Sequence, residues 1–305
     1  MSFSVNQFMK PFLLLFVLFF AFSARAQVQA DIRLYTADGY LFPDEAPFHY
    51  VLGDGVSFRD CPSDSCNILS LLEIGTRLTL LAESDSVSVF NGLSSKWYQA
   101  DVAGKTGWVW GGWIAQQAFG SQTDPDVKFV AGYEKVIREP AENRFGQYYQ
   151  IRAIRKGEQI AKIVLKSFAW ELGGVQNIGP KGLDKLDDIL LLNVPCTGGC
   201  GCLTGDMVIF WANDKFHYVA DLKGSPDAEY SQYQDFVFPS DMEGEKGIII
   251  KRSGGYEDPP EDEAGQLEYQ HKVKRSILTE YFIWNGSNLV PSGRKSHRET
   301  YWLKN

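Results

Sequence analysis

Five short runs decide how this chain is read: VSFRD (Val56–Asp60), ILSLL (Ile68–Leu72), TRLTLLAES (Thr76–Ser84), WYQADV (Trp97–Val102) and TGWVWGGWI (Thr106–Ile114). Each is rich in aliphatic, β-branched or aromatic residues, and turn residues separate them. That spacing predicts a small antiparallel barrel over residues 50–115. Gly75 and Gly107 fall where turns need conformational freedom. So small a barrel has little interior and depends on a few large rings. Four of the eight tryptophans (Trp97, Trp108, Trp110 and Trp113) lie within 17 residues. Strand alternation puts Trp108 and Trp110 on one face and Val109 on the other. Packing inside the barrel is the plain account of these rings. The functional account has Tyr98, Trp110 and Trp113 lining a shallow groove for an extended peptide or glycan.

Toward the N-terminus, Lys10 precedes the apolar run Phe12–Phe22, which is followed by Ala24-Arg25-Ala26. A basic start, a short apolar core and an A-x-A site predict a signal peptide over residues 1–26, cleaved near Ala26. The run is shorter than the roughly 20 residues that span a bilayer, so no span is expected in the mature form. Residues 27–49 read as a lead-in segment. Export implies an oxidising compartment, periplasmic or secreted, and therefore disulfides. Cys61 and Cys66 form one expected bridge. In the cluster CTGGCGC, Cys196–Cys200 and Cys196–Cys202 are both open, and Cys200–Cys202 is strained by its one-residue spacing. Cys196 and Cys200 stand as the expected second pair of disulfide residues.

Toward the C-terminus, residues 116–126 are polar, with Gly120, Ser121 and Pro125, and are expected to form a linker. Residues 127–305 then stay β-like. QYYQIRAIRKGEQIAKIVLKSF (Gln147–Phe168) predicts a hairpin turning at Lys156-Gly157. DILLLNV (Asp188–Val194) predicts a buried strand, because its apolar residues are consecutive. MVIFW and HYVADL flank a turn at Asn213-Asp214 and predict another hairpin. The segments around Trp211 and Trp284 share a shape compatible with sandwich or blade-like stacking. The expected fold is all-β: the small barrel, then a second antiparallel β domain, a sandwich or a propeller-like stack.

The net charge is −8 and the aromatic content 14%. The acidity argues against nucleic acid, which needs a basic face. Ample apolar surface excludes a disordered chain.

Residues 50–115 resemble the bacterial SH3-like (SH3b) module of exported proteins. The resemblance rests on Val56-Ser57-Phe58-Arg59-Asp60-Cys61-Pro62-Ser63, Leu71-Leu72-Glu73-Ile74-Gly75-Thr76, the Trp97-Tyr98 strand and the closing Gly107-Trp108-Val109. Phe58, the Cys61/Cys66 pair and an insertion at Asp85–Ser95 depart from the family pattern. The C-terminal part resembles uncharacterised tails of such proteins, through its Cys/Gly cluster, Phe210-Trp211-Ala212-Asn213, Phe236–Ser240 and Trp284–Pro291. The resemblance implies an exported, non-enzymatic binding or scaffolding protein whose barrel contacts cell-wall peptide or an envelope protein.

The catalytic alternative starts from Leu203–Leu222, which resembles the Gly-Asp strand and downstream His of NlpC-type cell-wall cysteine peptidases. His217 would act with a cysteine of the 196–202 cluster. The Asp-Cys-Ser motif of that family is missing, and no catalytic residue is assigned. Cys196, Cys200, Cys202 and His217 form an acceptable zinc donor set, but in a spacing unusual for structural zinc. Asp184, Asp187 and Asp188 lack the glycine-spaced ladder of a calcium loop. The acidic run Glu257–Glu263 reads as an exposed loop. Neither metal nor cofactor is expected.

Overall fold

The computed structural model describes residues 48–139, 144–168, 172–196, 202–226, 230–257 and 272–304. The expected signal and most of the expected lead-in, Cys200, and Asp258–Glu263 of the acidic run lie outside them. Three antiparallel sheets make up the described chain.

The first sheet contains β1 (His49–Tyr50), β2 (Val56–Arg59), β3 (Ile68–Leu72), β4 (Arg77–Phe90), β5 (Leu93–Val102) and β6 (Lys105–Trp110), in the order β1-β4-β5-β6-β2-β3. It curls around Val56, Phe58, Leu72, Leu78, Tyr98, Val109 and Ile114. Residues 85–95, read above as an insertion, are the far end of the β4–β5 hairpin. Asn91 and Gly92 turn it with φ of 52° and 74°, the left-handed pair that suits the strand twist. A Cβ on Gly92 would lie 2.0 Å from the Val136 carbonyl oxygen, and Val136 N–H donates to Asn91 O at 3.1 Å. The hairpin tip is thereby tied to the second sheet.

That sheet orders β10-β9-β8-β7 from β7 (Gln117–Gly120), β8 (Val127–Glu139), β9 (Arg144–Arg155) and β10 (Glu158–Lys166). The expected linker is absent as such. Residues 117–120 are an edge strand paired with β8, and Ser121–Asp126 close a turn in which Ser121 Oγ accepts from the N–H groups of Thr123 and Asp124. The composition of an exposed edge and turn resembles that of a linker, because both face water. No spacer separates the two sheets: Leu52, Ile74 and Ala115 pack against Val130 and Ile154 in one dry cluster. The hairpin at Lys156-Gly157 turns where expected, with φ of 53° and 85°.

The third sheet runs β11 (Val175–Asn177), β12 (Asp188–Val194), β13 (Thr204–Ala212), β14 (Lys215–Pro226), β15 (Tyr230–Val237), β16 (Ile249–Glu257), β17 (Lys272–Trp284) and β18 (Leu289–Pro291), with β19 (His297–Lys304) also on β17. Consecutive apolar residues in β12 and β13 are explained by burial of both faces. Leu190, Leu192, Met207, Ile209 and Trp211 meet Phe129, Tyr149 and Ile151 of the second sheet. Ile189, Val208 and Phe210 face Leu222, Phe238, Ile249 and Trp284, so the sheet folds back over itself. The second and third sheets thus pack as a sandwich and not as a propeller-like stack. The two similar segments are hairpins of one sheet, and their rings Phe210 and Trp284 meet edge to face at 5.0 Å. Asn213 and Asp214 make the expected turn, with φ of 53° and 56°.

Candidate functional site: a groove at three sheet edges

β1, β7 and β11 are edge strands of the three sheets, and all three line one groove of about 490 Å³. Its walls are Phe48, His49 and Tyr50, then Gln116–Gly120 with Gln122, then Val175, Gln176 and Asn177.

Ladder phase fixes which backbone groups face it. Ser121 N–H donates to Val127 O at 2.9 Å, and antiparallel partners bond at every second residue. Gln117 and Phe119 therefore turn toward β8, and Ala118 and Gly120 turn outward. In β11, Ile178 N–H donates to Ile189 O and Asn193 N–H donates to Gly174 O, both at 3.0 Å. Val175 and Asn177 consequently turn outward, toward β7.

Side-chain amides, not a backbone ladder, bridge these two edges. Val175 N–H donates to Gln117 Oε1. Gln122 Nε2 donates to Asn177 O at 2.7 Å, and Asn177 Nδ2 donates to Gly120 O at 3.1 Å. Beneath them lies Asp188, fully buried, whose carboxylate accepts from Ser121 Oγ (2.5 Å), Gln122 N–H (2.9 Å) and Asn177 Nδ2 (2.9 Å). This acid holds the β7 turn to β11. Gln116 Oε1 is shielded from solvent and accepts no hydrogen bond among the described residues. Such an acceptor costs about 1–3 kcal/mol. Burial holds the His49 imidazole below its ordinary pKa, favouring the neutral ring.

The expected ligand residues lie elsewhere and need correction. Trp110 is 2% and Tyr98 5% exposed, so neither offers a ring face to a ligand. Trp110 Nε1 donates to Ser88 O and Ser95 O, each at 3.1 Å, and its ring meets Phe90 and Trp113 edge to face. Trp113 is half-buried against the barrel core that contains Tyr98. Tyr98 thus packs in the barrel core, and Trp110 packs against the β4–β5 hairpin.

Cys61–Cys66 and Cys196–Cys202 are bonded, with Cα–Cα distances of 5.6 and 5.7 Å. The second pairing therefore uses Cys202 and not Cys200. His217 pairs with Phe210, whereas Thr204, two residues after Cys202, pairs with Gly224 at the other end of β13. Six residues of strand put about 20 Å between those ends. The structure does not bring His217 to the sulfur atoms; its ring packs on Trp284 at 5.3 Å. Among the described residues, no helix is long and apolar enough to cross a membrane.

The amide-rich run Gln116-Gln117…Gln122 and the pair Gln176-Asn177 were the available signal for the groove. Nothing in either segment alone says that the two edges meet. Comparison with family models, curated proteins and solved structures finds no match.

Proposed function

We propose that this is an exported, non-enzymatic binding or scaffolding protein that takes an extended segment of an envelope protein as an added strand in the groove. The observation carrying this reading is the outward turn of backbone on β7 and β11, where Gly120 O, Val175 N–H and Asn177 O are held by exchangeable side-chain amides. An added strand gains affinity from main-chain hydrogen bonds and specificity from alternate side chains. Ala118 and Gly120 leave space beside the β7 backbone. Two disulfides and the apolar run Phe12–Phe22 support export, and the SH3b resemblance of residues 50–115 supports a binding role. A cell-wall stem peptide is the weaker ligand, because its D-residues break the regular ladder. For the peptidase alternative, Cys196 and Cys202 are bonded to each other and far from His217, while Cys200 lies outside the described residues.

A capped, alternating Thr-Val octapeptide with terminal lysines is a direct probe. Fluorescence titration should give saturable binding, lost when alternate residues of the probe are N-methylated. It should also be lost in Ala118→Pro, which removes an outward N–H that the β7–β8 ladder does not use. Equal binding of the methylated probe, or binding of wall fragments but not of this strand, would refute the reading.

A further inference from the structure

A different edge carries an independent inference. β3 closes the other side of the first sheet and, among the described residues, pairs only with β2. Ile68, Leu69 and Leu71 are 52%, 54% and 61% exposed. Natural edges are commonly protected by charge, proline or a covering element. Here Cys66–Leu72 contains no charge and no proline in a chain of net charge −8. The strand is also held ready: Arg59 Nη1 donates to Cys66 O at 2.5 Å, Asn67 Nδ2 donates to Asp60 Oδ2 at 2.9 Å, and Cys61–Cys66 closes the turn before it.

We infer that the occupant of this edge is a second copy of the same chain, paired antiparallel about a two-fold axis at Ser70. Ile-Leu-Ser-Leu-Leu reads alike in both directions, as an isologous contact requires. Leu69 falls opposite Leu71, Ile68 opposite Leu72, and Ser70 opposite Ser70. Just outside, Glu73 falls opposite Asn67, so no like charges meet. A five-residue strand buries little, which places the dimer in the transient class below about 1,200 Å².

The test uses the oxidised protein carrying Cys200→Ser, to remove the odd thiol. Sedimentation should give a mass that rises from monomer to dimer with concentration, and Leu71→Lys should abolish the rise while leaving the thermal midpoint in place. Directly opposed strand residues have Cβ atoms about 4.5–5.5 Å apart, close enough for a disulfide after small adjustment. Ser70→Cys should therefore crosslink into a dimer at least tenfold faster than Ser86→Cys, an exposed control on the β4–β5 hairpin. A monomer at every concentration, association that survives Leu71→Lys, or equal crosslinking at both positions would overturn the inference. The crosslinking arm stands by itself if Leu71→Lys fails to fold.

Discussion

β7 and β3 are both short edge strands, and they meet the same problem with opposite chemistry. At β7 the outward backbone groups face β11, and glutamine and asparagine side chains bridge the gap above a buried aspartate. At β3 no strand among the described residues pairs the outer backbone edge, and the neighbouring side chains are aliphatic. An amide bridge keeps an edge satisfied and also exchangeable, since one amide partner replaces another at little net cost. An aliphatic edge gains only when a similar surface covers it. The first suits an incoming peptide of varied sequence; the second suits a copy of itself.

The largest test of this contrast removes the anchor under the amide bridge. Asp188→Ala strands three donors in a dry site and should cost about 3 kcal/mol in urea unfolding, with accelerated amide exchange at Gln122. Cys61→Ala/Cys66→Ala should cost about 2 kcal/mol by freeing a short loop in the unfolded chain, and should weaken self-association by loosening the start of β3. Gln117→Ala, which frees only Val175 N–H, should cost about 1 kcal/mol and leave concentration-dependent mass unchanged. Leu71→Lys should change stability by no more than about 0.5 kcal/mol, because the residue is exposed; a larger loss would mean that β3 is already covered within one chain. The smallest effect concerns pH. His49 has a lowered folded pKa because of burial, against an ordinary value of 6.5. As pH falls through 6.5, the unfolded chain takes up a proton that the folded chain resists, so stability declines. His49→Gln should flatten that part of a thermal-midpoint profile.

Local signals in the sequence were read well where a turn or a run acts alone. Lys156-Gly157 and Asn213-Asp214 turn hairpins as their residue types require, and Asp188–Val194 is buried because a consecutive apolar run suits a strand covered on both faces. Asn91-Gly92 carries an equally strong turn signal, and it lies inside Asp85–Ser95, the stretch that departs from the family pattern. The tryptophans identified a core but not the binding face: a ring packed inside and a ring lining a groove have the same letter. Residues 116–126 show the deeper limit. Their polarity marks contact with water, while their pairing with β8 and their bridge to β11 depend on residues up to about 67 positions away, as in the Ser121–Asp188 bond. Periodicity within a segment carries no information on such contacts. The pairing of Cys196 with Cys202 was open for the same reason, since both allowed spacings close a loop.

Residue-resolved hydrogen exchange at Ala118 and Gly120, with and without the alternating Thr-Val probe, tests the central claim most directly. The account expects both amides to exchange freely in the protein alone and to slow at least tenfold when the probe binds, with Gln117 and Phe119 unchanged because β8 already protects them. Binding of the probe with no slowing at Ala118 and Gly120 would contradict it.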